Sequence, residues 1–168
     1  AQGVLEWQHN NLSLLRFTNG NSACLLVDRF SRPIDVKQGV GLARKIGADI
    51  ACQLIAFGII KSQWLHSTDA DATLPDDYFL ALEKKLRSLS KSQQQNAVAA
   101  CYEFSHSSED KRVHSANQRY EQALRYYVAG LRYAGSPYAF FTIGSILAFK
   151  ASAYASVRGF PKKSAGED

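Results

Sequence analysis

A chain of 168 residues with 46% apolar and 21% charged side chains is long enough to bury a core and too apolar to stay disordered. Its net charge of +5 and pI near 9.2 admit phosphate-bearing ligands, nucleic acid or an anionic membrane surface without choosing among them. Three widely spaced cysteines, Cys24, Cys52 and Cys101, fit neither a disulfide framework nor a zinc spacing. No apolar run approaches the ~20 residues that span a bilayer, and "AQGVLEWQHNN" lacks the basic start and apolar centre of a secretion signal. The expected location is the cytoplasm or the cytoplasmic face of a membrane, with any anchor supplied by segments outside this chain.

In chain order, "ACLLVDRFSR" supplies a strand. From Val40 the positions Ala43, Gly47, Ile50 and Leu54 recur at helical spacing, and Gly58 follows as a terminator, which predicts a helix ending near Phe57. "SQWLHST" reads as a short strand. Pro75, Asp76 and Asp77 suit the opening turn of a helix running through Leu89, where carboxylates meet the positive end of the helix dipole. Residues 88 to 96, "SLSKSQQQN", read as a polar hinge, and "AVAACYEF" as another strand. Residues 110 to 133 predict an amphipathic helix with Val113, Ala116, Tyr120, Ala123, Tyr127 and Leu131 on one face. "YAFFTIGSILAFK" is a strand region broken by Gly144, and "ASAYASV" a short helix. Tyr133, Tyr138, Phe140 and Phe141 read as core aromatics, or else as a stacking surface for a sugar. Strands alternating with helices predict one α/β layered domain over residues 1 to 168 with a largely parallel sheet.

The acidic stretch "HSTDADATLPDDYF" places Asp69, Asp71, Asp76 and Asp77 close together, and such carboxylates stay ionised where a cation or solvent compensates them. Predicted at a strand-to-helix junction, Asp69 and Asp71 sit where α/β sheets gather ligands. Two carboxylates so spaced can jointly hold a hard divalent cation, which can in turn grip a diphosphate; the competing reading is a solvated acidic loop. "DADATL" also matches the DxDxT nucleophile loop of haloacid-dehalogenase-type phosphatases. That alternative requires an apolar strand immediately before the motif, where His66, Ser67 and Thr68 stand, and a lysine with an acidic pair downstream. A third reading is non-enzymatic: Lys111, Arg112, Arg119, Arg125 and Arg132 could make the long helix a basic binding module for nucleic acid or anionic lipid. Interleaving with Glu109, Asp110 and Glu121, and the lack of an aromatic stripe, favour a solvated helix face, so no nucleic-acid partner is expected.

Three segments, "GVGLARKIGADIA" (39 to 51), "WLHSTDADATLPDDYF" (64 to 79) and "GSILAFKASAYASVRGFPKKSAGED" (144 to 168), stand in an order and spacing that resembles the family-2 nucleotide-sugar glycosyltransferases of GT-A fold. The resemblance covers about residues 35 to 168. Lys45 stands where the family's Ala-Arg-Asn signature has asparagine, and Arg158 replaces the first glycine of a "GGF"-like turn. The resemblance implies a GT-A-like three-layer sandwich with a mainly parallel sheet. It further implies that Asp69 and Asp71 hold Mg²⁺ or Mn²⁺ on the diphosphate of a nucleotide-sugar, with Arg44 facing the nucleotide or diphosphate. Asp168 would be the general base toward an acceptor hydroxyl, with Glu167 supporting it, in an inverting in-line displacement. The acceptor would be a glycan, a lipid-linked or a small molecule. Lys162 and Lys163, beside these acids, could meet phosphate or else read as a flexible solvated loop. The family's opening strand with its "P-x-x-N/D" turn is not found in "AQGVLEWQHNNLSLLRFTNG". Asp28 closes a strand that matches a later family segment, and the chain stops before the helix that carries the Glu-Asp pair. The expectation is a catalytic domain truncated at both ends.

Overall fold

The structure, a computed structural model, describes residues 2 to 18 and 20 to 166. It opens with an antiparallel meander of β1 (Gly3–His9), β2 (Leu12–Phe17) and β3 (Ala23–Val27), paired in that order. Asn10 and Asn11 make the β1–β2 reversal, with Asn10 at φ 51. Asparagine tolerates the left-handed region better than most residues, and two-residue reversals of this hand match the twist of paired strands. The register slips between Leu5 and Trp7, leaving Glu6 as the extra residue, and its carboxylate accepts from Arg16 Nε at 2.9 Å. Among the described residues this sheet contributes no buried side chain, and Val4, Leu5, Trp7 and Leu26 are all about half exposed.

Helix α1 (Gly39–Ala56) follows the predicted periodicity and ends as expected. Gly58 adopts φ +70 and Ile59 N donates to Leu54 O at 2.9 Å, a left-handed stop that satisfies one of the helix's last carbonyls. Ala48 of α1 packs with Leu65, Ala151 and Tyr154, and Ala51, Cys52, Ile55, Phe149 and Phe160 close around them. The core therefore gathers where α1 and α5 (Ala151–Ser156) lie against β4 (Trp64–Ser67) and β6 (Leu147–Lys150).

That second sheet overturns the expected parallel sandwich. Its order is β4-β6-β5, with β5 at Ala99–Cys101, and β6 runs antiparallel to both neighbours: Leu65 pairs with Phe149, and Ala99 with the same Phe149. β4 and β5 do point the same way, as a strand-helix-strand alternation leads one to expect. They do not bond to each other because β6, reached only after the long helix, fills the gap between them. The fold is a small mixed α/β arrangement with two antiparallel sheets, and the mainly parallel GT-A-like architecture is incorrect for this chain.

Three further elements depart from expectation. The predicted hinge at 88 to 96 contains α3 (Lys91–Asn96), opened by a reciprocal capping box: Gln93 N donates to Ser90 Oγ at 3.3 Å and Ser90 N to Gln93 Oε1 at 3.0 Å. In α2 (Tyr78–Arg87), Asp77 occupies the N-cap without capping by its side chain; it bonds Lys84 Nζ at 2.9 Å instead. That bond and the charge of Lys84 hold its carboxyl below the usual range. In α4 (Lys111–Tyr133), capped by Asp110, the inward stripe is His114, Asn117, Glu121, Leu124, Val128 and Leu131. Apart from Leu131, which lies inward as predicted, the predicted face is one residue out of phase: Val113, Tyr120 and Tyr127 are exposed. A mixed inner stripe containing His114, Asn117 and Glu121 hides the true phase from an apolar count. Tyr133, Tyr138 and Phe140 are exposed rather than core, and Phe141 meets Phe104 edge to face with centroids 5.1 Å apart. Among the described residues no helix is long and apolar enough to cross a membrane.

Candidate functional site

The three sequence segments meet at one point. Arg44 lies on the second turn of α1, Asp69 just past the carboxyl end of β4, and Gly144 opens the 3-10 turn Gly144–Ile146 that leads into β6. Arg44 Nη1 and Nη2 donate to Asp69 Oδ1 at 3.0 and 2.9 Å. The arginine side chain is only 11% exposed, against 42% for the aspartate. A guanidinium this enclosed needs its partner, since removing one member of a buried pair leaves a charge uncompensated. Gly144 makes the placement possible: a Cβ there would lie 2.5 Å from Arg44 Nη2 and 2.6 Å from Nε. The glycine that breaks the predicted strand is thus the seat of the arginine. Motif position gave Arg44 and Asp69; nothing in the sequence singled out Gly144 beyond the strand break.

A cleft of about 420 Å³ runs from this pair along α1, walled by Ala43, Gly47, Ala51, Leu65 and Phe149. Asp71 is exposed two residues beyond Asp69, and Ala72 N donates to Asp69 O at 3.2 Å, so the carboxylates sit on one tight reversal. Hard carboxylate oxygens suit Mg²⁺ or Mn²⁺, which take few protein ligands and keep water and phosphate oxygens. Asp69 already has a cation against Oδ1, while its Oδ2 is not used by that pair. The donor set therefore fits a divalent ion. Among the described residues no cluster of three or more His, Cys, Asp or Glu side chains is placed to hold a metal, so the protein's share would be these two carboxylates. Glu167 and Asp168, the expected acid pair, lie outside the described residues.

The segment leading toward them is fastened to α1. Gly41 N donates to Lys163 O at 2.9 Å, so the backbone here is tethered to the helix while Lys162 and Lys163 remain exposed, as a solvated loop requires. Lys45, where the family pattern has asparagine, braces the same region. Its Nζ bonds Asp49 Oδ1 at 3.2 Å and Arg158 O at 3.3 Å, and Tyr154 donates its hydroxyl to Asp49 Oδ1 at 2.9 Å. Arg158, the departure from "GGF", sits at φ 65, a region that costs a side-chain-bearing residue about 1–2 kcal/mol. Arg158→Gly is therefore expected to stabilise the protein by about 0.5–1 kcal/mol, the relief being partly offset by greater freedom of the unfolded chain. An unchanged or lower denaturation midpoint would contradict this.

On the opposite face of β4, His66 touches three aromatic rings, Tyr78, Phe79 and Tyr102. Tyr102 donates its hydroxyl to Tyr78 O at 3.2 Å and lies 2.8 Å from His66 Nδ1, an arrangement suited to a neutral imidazole whose Nδ1–H points at the phenol oxygen. Burial pushes the Tyr102 phenol up to about 12 and lowers His66 from its ordinary 6.5. Below that ordinary value the unfolded chain takes up a proton that native His66 resists, so the unfolded state binds more protons there. Stability from this site is full above pH about 6.5 and is lost as the pH falls further. Denaturant midpoints measured across that range should show a smaller acid-side drop in His66→Gln than in the natural protein. Equal slopes would exclude His66 as the source. No family model, curated protein or solved structure matches the chain.

Proposed function

We propose that the chain carries the diphosphate-binding and catalytic end of a nucleotide-sugar glycosyltransferase, acting with inversion on an acceptor hydroxyl. One observation carries this reading: three segments up to a hundred residues apart supply an arginine, an aspartate at a strand end and a glycine that lets the two meet. In that role Asp69 and Asp71 would hold Mg²⁺ or Mn²⁺ on the donor diphosphate. The ion supplies positive charge to a leaving group that gains negative charge as the sugar departs. Arg44 adds a fixed positive group beside the same phosphates, and the enclosed guanidinium loses little freedom in doing so. Asp168 takes the acceptor proton and Glu167 orients it or the acceptor. The acceptor class is a glycan, a lipid-linked or a small hydroxyl compound.

The test is release of nucleoside diphosphate from a panel of nucleotide-sugars, with and without acceptors, in Mg²⁺ or Mn²⁺ and again in excess EDTA. Metal-dependent release is expected, with none in EDTA and no phosphate freed from a generic phosphate monoester. Full activity in EDTA would overturn the reading. Asp69-dependent phosphatase turnover would replace it with the DxDxT chemistry, and firm heparin retention at high salt without donor binding would favour a basic binding module.

A further inference from the structure

We propose that Arg44 acts as an internal counter-cation: it holds Asp69 against free divalent ions and yields the carboxylate only when a diphosphate arrives to take the guanidinium. The inference rests on the glycosyltransferase reading in one respect, that Asp69 is a metal ligand. Two nitrogens of Arg44, Nη2 and Nη1, donate to the same oxygen, Oδ1, at 2.9 and 3.0 Å. A guanidinium clamped on one oxygen neutralises the carboxylate and places a positive charge next to any ion that approaches it. Without a competing anion it stays there, because its side chain is only 11% exposed and it lies across the bare backbone of Gly144.

A divalent ion arriving alone must share Asp69 with this charge, and like charges a few ångströms apart oppose its binding. A diphosphate changes the balance, since its oxygens accept from Arg44 and ligate the ion together. Metal and diphosphate then raise each other's affinity, and by linkage the factor is the same in both directions. The device would keep the site empty of cations until the donor is present.

Mn²⁺ binding to the protein, read by the loss of the free-ion EPR signal, tests this with and without a nucleoside diphosphate. Arg44→Gln should tighten binding of Mn²⁺ alone by about tenfold, the order expected for removing one positive charge near a divalent ion in a largely aqueous setting. The same change should shrink the mutual enhancement between Mn²⁺ and nucleoside diphosphate by a comparable factor. Arg44→Lys, which keeps the charge, should stay within about threefold of the natural protein. Gly144→Ala gives an independent arm should Arg44→Gln fail to fold. It alters no charge, yet its methyl displaces the guanidinium, so Mn²⁺ alone should again bind more tightly. If Mn²⁺ binds in an Asp69-dependent way while Arg44→Gln and Gly144→Ala leave its affinity unchanged or weaker, the counter-cation role is wrong and the donor site stands. If neither Mn²⁺ nor nucleoside diphosphate binds, alone or together, the donor site itself falls and the inference with it.

Discussion

Asp69→Asn is expected to lower turnover of a nucleotide-sugar by about 10²- to 10³-fold, the range typical of losing a main electrostatic stabiliser of a transition state. The substitution is informative because it separates charge from structure. An asparagine side-chain oxygen can still accept from Arg44, so the fold should persist, although with a lower denaturation midpoint because the enclosed guanidinium loses its counter-charge. What disappears is the negative charge that would hold the metal, so donor affinity should fall together with rate. Asp168→Asn should fail differently, losing about 10²- to 10⁴-fold in kcat while donor affinity stays nearly intact, because an amide cannot take the acceptor proton. Glu167→Gln should be milder than either. Should Asp69→Asn retain more than half of normal kcat/KM, the metal site is misplaced and the proposed chemistry loses its centre.

Gly41→Ala carries the largest expected cost in stability, about 2–4 kcal/mol. In an ordinary helix the same change would stabilise by about 1 kcal/mol, so the sign itself is diagnostic. Gly41 is buried in the first turn of α1, and a Cβ there would come within 2.5 Å of Lys163 O and 2.8 Å of Lys163 N, and closer still to Pro161 O. These are backbone atoms that cannot rotate out of the way. The segment 161 to 163 would have to lift off the helix and give up the Gly41 N to Lys163 O bond. Activity should fall too, although Gly41 touches no proposed reacting group, because this segment leads directly to Glu167 and Asp168. A stabilised Gly41→Ala variant would show that helix and segment are not packed as described.

The stretch from α1 to β4 was legible because local physics and global packing agree there. In α1, small residues at helical spacing and Gly58 as a stop sufficed, and β4 followed from a short apolar run before an acidic turn. The direction of β6 was not legible: strand alternation says that β4 and β5 run the same way, but nothing in "GSILAFK" announces that it will wedge between them. Of the meander only β3 was read, as the strand in "ACLLVDRFSR"; the hairpin of β1 and β2 was missed although "HNNL" is a two-residue reversal between apolar stretches, and the Ser90–Gln93 capping box was readable as a helix start. In the candidate site, Arg44 and Asp69 were found by motif position. Gly144 and Gly41 were not, since what they contribute is the absence of a side chain, which matters only once the neighbours are known. The phase of α4 failed for another reason: its inward stripe includes polar residues, and the visible apolar stripe faces solvent.

The two tryptophans fall one to each sheet, Trp7 in β1 beside His9 and Trp64 in β4 beneath Lys150 Nζ, 5.6 Å from the ring centroid. The first sheet adds no buried side chain among the described residues, whereas the second sits in the core. A three-stranded ribbon half-buried mainly along its central strand is held chiefly by its own pairing, so it is expected to open before the rest of the molecule. Its fluorescence during unfolding is then a sum of two reports, with Trp7 lost in an early local opening and Trp64 following the global transition. A single melting temperature taken from total emission would blend the two, and only the emission of Trp64 would measure the part of the protein that holds Arg44 against Asp69.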